Sequence, residues 1–275
     1  MDTAEPSEPR HPPPSKRSGP SGLTDAFLFG VVLLLLAVFM ARGTENLGYN
    51  WQWYRVPQYL FTLDDRGFEP GPLLEGLGVT LEITGISLVL AFVFGLTAAL
   101  FRISDSFAAR WIARGYVEAV RNTPLLVQLF FIYFVLGPIL DIDRMTSAVL
   151  ALSLFEGAYA SEILRSGIES VEKTQWEAAY SIGLHKPGAF RLVVFPQALR
   201  RVLPPLTSQA VSLLKDSALV STIAVFDLTM RGRAIISETY LTFELWFTVA
   251  AIYLSIALIL SAVVSKLEKR MDVMT

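Results

Sequence analysis

Cysteine is absent from this chain of 275 residues, and histidine occurs only at His11 and His185. Without cysteine the chain has no disulfide, no thiolate nucleophile and no cysteine-ligated metal site. Two histidines so far apart also give little basis for a histidine metal site. Charged residues make up 17% of the chain, whereas soluble proteins average about 25%. The sequence therefore lacks the polar surface that a soluble domain of this length requires.

Motifs for catalysis and nucleotide binding are missing as well. The sequence has no G-x-x-x-x-G-K-[ST] phosphate loop, no H-E-x-x-H pair and no G-x-S-x-G elbow. Its carboxylates and hydroxyls are scattered and do not form a nucleophile with a matching base. The net charge is -2, and no basic run is dense enough to indicate nucleic-acid binding. We therefore expect no enzyme activity, no cofactor or metal bound by this chain, and no nucleic-acid partner.

Apolar residues, by contrast, make up 53% of the chain, and the mean hydropathy is +0.49. A helix needs about 20 mostly apolar residues to cross a bilayer. Stretches free of Asp, Glu, Lys and Arg cover 26–41, 83–101, 122–140 and 245–265. Two further stretches are interrupted by charge, namely 145–163 and 202–226. The pattern predicts an all-α, polytopic transmembrane bundle with about six spans.

Lysine and arginine are distributed unevenly between the two sides of such a bundle. With six spans both termini lie on one side, and placing them in the cytoplasm puts most of the 23 basic residues there. These residues are Arg10, Lys16, Arg17, Arg102, Arg110, Arg114, Arg121, Arg165, Lys173, Lys186, Arg191, Arg200, Arg201, Lys266, Lys269 and Arg270. An excess of basic residues marks the cytoplasmic side of membrane proteins. The sequence thus predicts a multi-pass membrane protein with both termini cytoplasmic.

The chain divides into segments of different character. Residues 1–22 hold six prolines and few apolar side chains, which predicts a disordered cytoplasmic tail. Residues 23–41 predict an N-terminal membrane anchor that is retained, because Phe39 stands where signal cleavage requires a small residue. Residues 42–73 form a periplasmic loop rich in Tyr and Trp, rings that favour the headgroup boundary, although a binding role for them stays open. Residues 74–270 form the transmembrane domain.

The loop between the predicted fourth and fifth spans, residues 166–200, carries the most informative pattern. Thr174 and Glu177 have the spacing of a capping box at a helix start. Gly183 suits the left-handed position that ends this helix. Pro187 fits the first turn of a second helix, and Pro196 breaks that helix before the next span. These capping, glycine and proline positions by themselves predict a helical hairpin in which Glu177 caps the first helix.

The same loop resembles the EAA loop of membrane subunits in bacterial ABC importers. The family pattern is EAA, three residues, G, nine residues, then I-x-L-P. This sequence has Glu177, Ala178 and Ala179, then Gly183 at the required distance, and it departs only by Val193 for Ile and Phe195 for Leu. The resemblance implies that the hairpin docks as a coupling helix in a groove of the ATPase subunit, a role compatible with capping.

Resemblance to the polar amino-acid permeases, which serve histidine, glutamate, glutamine, arginine and opines, extends over about residues 73–270. It rests on 76–81 (GLGVTL), 121–128 (RNTPLLVQ), 158–168 (AYASEILRSGI) and 214–219 (LKDSAL). Members commonly have Thr-Ser where this chain has Ser217-Ala218. Because they commonly have five core helices, the first span is an addition here.

The resemblance implies a type I, MetI-like permease of an ATP-driven amino-acid importer in the bacterial inner membrane. The expected partners are a dimer of ABC ATPase subunits that hydrolyse ATP, a periplasmic amino-acid-binding protein, and a second permease subunit, identical or a sister chain. The cargo is a polar amino acid, with glutamate, aspartate, glutamine or a broad range all open. The alternative is a secondary transporter or channel for small polar solutes, which would need neither an EAA-patterned hairpin nor an ATPase.

Polar residues inside the predicted spans are the candidates for a translocation path. Charge near the bilayer centre is costly and normally faces the bundle interior with a partner. Lys215 and Asp216 are adjacent and point about 100° apart on one helix, so each needs a partner elsewhere. Glu156, Glu162 and Glu82 are available as partners. Glu162 and Gln128 are the other candidates. The alternatives are a structural ion pair, residues at the membrane boundary and, for Gln128, a hydrogen bond between helices.

Overall fold

The computed structural model describes residues 22–46, 49–64 and 67–272. The helices and strands with their bounds are α1 (Gly22–Asn46), α2 (Pro57–Leu60), β1 (Phe61–Asp64), β2 (Gly67–Pro70), α3 (Pro72–Ile103), α4 (Phe107–Arg121), α5 (Leu125–Phe130), α6 (Gly137–Leu140), α7 (Arg144–Glu169), α8 (Lys173–Ser181), α9 (Lys186–Ala189), α10 (Phe195–Asp216), α11 (Leu228–Thr239) and α12 (Thr242–Asp272). π-Helical turns at Phe131–Leu136 and Phe190–Val194 join α5 to α6 and α9 to α10. The fold is the all-α bundle that the sequence predicts.

Helix α1 belongs to a separate unit, residues 1–51. It begins at Gly22, one residue before the predicted anchor, 23–41, and ends at Asn46, five residues after it. Phe27, Phe29 and Phe39 are exposed on it, as expected for side chains that face lipid. The predicted tail, 1–22, lies almost entirely outside the described residues.

Three helices, α3, α7 and α12, are long and apolar enough to cross a membrane among the described residues. Helix α4 and the segment Leu125–Leu140 together form a fourth candidate, bent by 108° at their junction. The predicted span at 202–226 is divided, because α10 ends at Asp216 and a 3₁₀ helix continues to Ile223. The number of six spans therefore stays a prediction.

Helix α7 lies at the centre of the bundle and packs mainly against α3. Its buried face is built largely from small residues, which let helix backbones approach closely in a membrane protein. At the tightest point Gly95 of α3 faces Gly157 and Ala160 of α7. A Cβ atom on Gly95 would lie 2.7 Å from Cβ of Ala160 and 3.0 Å from the carbonyl oxygen of Gly157.

The segment predicted as a periplasmic loop contains regular structure. β1 and β2 form an antiparallel hairpin with Phe61 opposite Pro70. Tyr59 and Leu60 pack against the buried Leu73 at the start of α3. The backbone amide of Gln52 donates to the buried carboxylate of Glu244 over 2.7 Å, so this segment is tied to the start of α12.

We expect Gly95→Ala to destabilise the bundle by about 1 to 3 kcal/mol, because the added methyl group has no room between α3 and α7. Gly85→Ala on the same helix is the matched control, since a Cβ there meets nothing within 4 Å. Both changes bring the same gain in helix propensity. Thermal unfolding in detergent, followed by tryptophan fluorescence, measures the difference. Equal midpoints for the two variants would contradict the close contact.

Candidate coupling hairpin and translocation site

The turn of the EAA hairpin has the geometry that its glycine predicts. Gly183 has φ +86°, in the left-handed region, and directly follows the end of α8. The Gly183 amide donates to the Tyr180 carbonyl over 2.9 Å, and the Leu184 amide donates to the Ala179 carbonyl over 3.2 Å. These two bonds form a Schellman motif, which satisfies carbonyls that the helix end leaves free. The sequence prediction for Gly183 is confirmed.

The predicted capping box at the start of α8 is wrong. Helix α8 begins at Lys173, so Glu172 holds the N-cap position and Thr174 is already inside the helix. The Thr174 hydroxyl donates to the Glu172 carboxylate over 3.1 Å rather than capping the backbone. Glu177 is therefore free of the capping role and is exposed on the hairpin.

One face of the hairpin packs on the bundle and the other is exposed. Trp176 stacks on Phe190 with ring centroids 6.3 Å apart, and Ala179 is buried beside them. Glu177 and Ala178 are exposed together with Tyr180 and Ile182. Trp176 and Ala179 thus anchor the hairpin. The surface available to a partner includes Glu177, Ala178, Tyr180 and Ile182.

The second arm of the hairpin runs without interruption into α10. Pro187 lies in the first turn of α9, as predicted. Pro196 does not separate two helices but stands in the first turn of α10, directly after the π-helical turn. In a π turn each hydrogen bond spans one residue more than in an α-helix. Here the turn comes just before Pro196, which has no amide hydrogen to donate. The side-chain amide of Gln197 donates to Gln175 Oε1 over 3.1 Å, which links α8 to α10.

Glu162 is held by arginines from three helices. Its carboxylate accepts hydrogen bonds from Arg102 at the end of α3 and from Arg165 on its own helix. Arg121 of α4 lies 3.8 Å from it. Arg165 also bonds to Glu169. The predicted path residue Glu162 is therefore a structural tie between the ends of α3, α4 and α7.

Gln128 is also engaged locally. Its side-chain amide donates to the carbonyl oxygens of Val120 and Thr123, over 2.8 Å and 3.1 Å, and lies 2.8 Å from the Thr123 hydroxyl. These bonds join α5 to the end of α4 at the 108° bend. The arrangement matches the prediction of a hydrogen bond between helices.

Asp216 approaches a second carboxyl group, that of Glu156. Glu156 is only 2% exposed, and its Oε2 accepts a hydrogen bond from Gln209 of α10. Its Oε1 has no donor among the described residues, and Asp216 lies close enough to interact with it. Lys215 is exposed and forms no ion pair within the described part of the chain. The four predicted path residues are therefore not brought together.

A cavity of about 340 Å³ adjoins Glu156, one member of this carboxyl pair. Glu156 and Gln209 line it together with apolar side chains of α3, including Leu88, Val89 and Phe92. This volume lies within the usual range of small-molecule sites, about 300 to 1,000 Å³. The sequence offers Glu156 as one of three available partners for Lys215 and Asp216, whereas it does not single out Gln209. The signal that could have found Gln209 is a polar residue seven positions before Asp216.

Residues 91–273 match the family described as binding-protein-dependent transport system inner membrane component. The chain belongs to this family of permeases. The glutamine transport system permease protein GlnP of Escherichia coli K12 is 38% identical over 205 residues, which cover 74% of this chain and 94% of that protein. The L-cystine permease protein TcyB of Bacillus subtilis is 40% identical, covering 73% and 87%.

A solved amino acid ABC transporter crystallised with histidines has a chain 38% identical to this permease. The two agree with a TM-score of 0.69 over 72% of this chain and 94% of that one. The MetNI methionine transporter, at 16% identity and TM-score 0.61, shares the fold. The permease is thus a type I, MetI-like membrane subunit of an ABC importer and not an enzyme. Members of the family bind no cofactor and work with a separate ATPase and a binding protein.

We expect Glu162→Gln to lower the stability of the permease by about 1 to 3 kcal/mol, because Arg102 and Arg165 lose a charged hydrogen-bond partner at a half-buried site. Glu169→Gln is the control, since Arg165 then keeps Glu162 and Glu169 is more than half exposed. The measurement is thermal unfolding in detergent at low and high salt. A loss from Glu169→Gln as large as that from Glu162→Gln would show that the three-helix tie is unimportant.

Proposed function

We propose that this permease moves a polar amino acid inward across the bacterial inner membrane in an importer driven by ATP. The observation that carries the proposal is the family match combined with an intact EAA hairpin whose outer face is exposed. A periplasmic binding protein would deliver the amino acid, and a dimer of ATPase subunits would supply the energy. A second permease subunit, identical or a sister chain, would complete the membrane part, with both termini of this chain in the cytoplasm.

Support for the cargo class comes from the relatives and from the cavity. The relatives at 33 to 40% identity are named for glutamine, cystine and nopaline, all of which contain amino-acid groups. The cavity beside Glu156 offers carboxyl oxygen to a cargo that carries an ammonium group. A polar amino acid, whose α-ammonium group is always available, fits both observations.

Coupling would pass from the ATPase through the hairpin to α10. Glu177, Ala178, Ala179 and Gly183 are the residues that we assign to it. Glu177 and Ala178 would contact the ATPase, Ala179 seats the helix on the bundle, and Gly183 sets the angle of the turn. Closing of the ATPase pair would favour one of two permease conformations, since a ligand shifts an equilibrium by binding one state better.

We expect Gly183→Val to abolish ATP-dependent uptake while the protein still folds, because a β-branched residue is strained at φ +86°. Gly183→Asn is the matched control, since asparagine tolerates the left-handed region and should keep most of the uptake. The assay is uptake of a panel of radiolabelled amino acids into proteoliposomes that contain the permease, its ATPase and its binding protein. The panel also identifies the cargo.

Two outcomes of this assay would contradict the proposal. Uptake that continues without ATP would indicate a secondary transporter or channel. Uptake by Gly183→Val equal to that of Gly183→Asn would show that the geometry of the turn does not matter for coupling.

The second part of the proposal is the path through the membrane. Of the predicted residues we assign Asp216 and Lys215 to it, and we add Glu156 and Gln209, because an orphaned carboxyl oxygen beside a cavity is suited to bind a donor. Gln128 and Glu162 would contribute by fixing the helices that bound the path.

We expect Asp216→Asn to reduce uptake about tenfold, which corresponds to the loss of one hydrogen bond to a charged group. Lys215→Met should also impair uptake without loss of assembly, because it removes a cation next to Asp216 that forms no ion pair with the described residues. Glu82→Gln on α3 is the control, since that side chain is exposed and forms no ion pair among the described residues. Uptake and ATPase activity are measured on the same proteoliposomes. Normal uptake by both variants would remove these residues from the path.

A further inference from the structure

Two adjoining cavities form a groove along the outside of α3, next to the coupling hairpin. The first, of about 330 Å³, is lined only by apolar side chains, among them Phe92, Leu96 and Leu206. The second, of about 740 Å³, contains Lys173, Trp176 and Lys186. Leu100, Ile168 and Phe190 line both cavities. The groove is therefore continuous and changes from wholly apolar to basic along its length.

The length and position of the groove fit one lipid leaflet. Its lining on α3 extends from Phe92 to Ile103, and at about 1.5 Å per residue this corresponds to roughly 17 Å. Half of the hydrocarbon core of a bilayer is about 15 Å. Helix α3 is a candidate span that ends at Ile103, so the basic end of the groove coincides with the end of a membrane helix. That end lies in the inner leaflet if the orientation under Proposed function holds.

The basic end of the groove carries a net positive charge, because its lining contains two lysines and one glutamate. Glu169 is the acidic residue of the lining, and it is already bound to Arg165. Lys186 lies 3.4 Å from Asp105, but both side chains are more than two-thirds exposed, so this pair is weak. Lys173 forms no ion pair among the described residues. Trp176 adds an indole at the same level, a ring that favours the headgroup region.

We propose that this groove binds an anionic phospholipid, with one acyl chain between α3 and α10 and its phosphate at Lys173 and Lys186. The apolar part matches an acyl chain in polarity and length, and the two ammonium groups match an anionic headgroup. A soluble partner docked at the basic end would leave the apolar part, at membrane depth, unfilled. Lys173 and Trp176 belong to α8, so the bound lipid braces the coupling hairpin against α3.

The test compares lipid binding by variants of the permease purified in its complex with the ATPase. Native mass spectrometry counts phosphatidylglycerol and phosphatidylcholine bound at increasing lipid concentration. We expect Lys173→Gln combined with Lys186→Gln to weaken phosphatidylglycerol binding about thirtyfold, since each of the two basic residues near a headgroup contributes about 1 kcal/mol. Arg191→Gln combined with Arg200→Gln is the control, because both residues are exposed nearby and neither lines the groove.

A second variant tests the apolar part independently. Leu100→Trp fills the junction of the two cavities while leaving both lysines in place, and its exposed position allows the change without disturbing the core. We expect it to lose bound phosphatidylglycerol and to remove the stimulation of ATP-dependent uptake by this lipid. Basal uptake in phosphatidylcholine should be unchanged, which separates this proposal from the proposed transport function.

Three outcomes would overturn the proposal. Equal binding of the two lipids would exclude recognition of an anionic headgroup, and undiminished binding by the Lys173 and Lys186 variant or by Leu100→Trp would place the lipid elsewhere. Because the chain has no cysteine, Leu100→Cys introduces a single thiol. A disulfide-linked dimer formed through Leu100→Cys in the assembled complex would show that a second copy of the chain covers the groove instead.

Discussion

The close contact between α3 and α7 rests on small side chains, and the other sites depend on it. Gly95 meets Gly157 and Ala160 at a distance that leaves no room for a methyl group. In a lipid environment the hydrophobic effect gives little attraction between helices, so close packing has to supply it. This approach brings Arg102 at the end of α3 to Glu162 of α7. It also places the apolar face of α3 beside the Glu156 cavity.

Local backbone preferences determine the turn of the coupling hairpin, and tertiary packing determines which of its faces is exposed. Gly183 and Pro187 set the turn between α8 and α9 through their own backbone preferences. Packing then decides which face of α8 is left exposed, because Trp176 stacks on Phe190. As a result the exposed surface includes Ile182, which no spacing in the EAA pattern indicates.

Helix α7 carries two carboxyl groups, those of Glu162 and Glu156, in different surroundings. At the end near Arg102, Glu162 is surrounded by guanidinium groups and is fully satisfied, which suits a structural tie. Further toward the middle of the helix, Glu156 keeps one oxygen without a donor and faces a cavity. A buried polar atom without a partner is costly, so such a site is suited to a ligand that satisfies it for a time.

The sequence by itself determined the all-α class, the apolar helices α3, α7 and α12, the turn at Gly183 and the family, because each depends on composition or on spacing within one short segment. For Gln128 it left two alternatives, a place in the path and a hydrogen bond between helices, and the structure shows bonds to Val120 and Thr123. Only the tertiary structure decided the pairing of Asp216 with Glu156 and the separation of Lys215 and Glu162 from that pair. Those relations join residues more than 50 positions apart, and their directions depend on how each helix is rotated in the bundle, which no local pattern specifies.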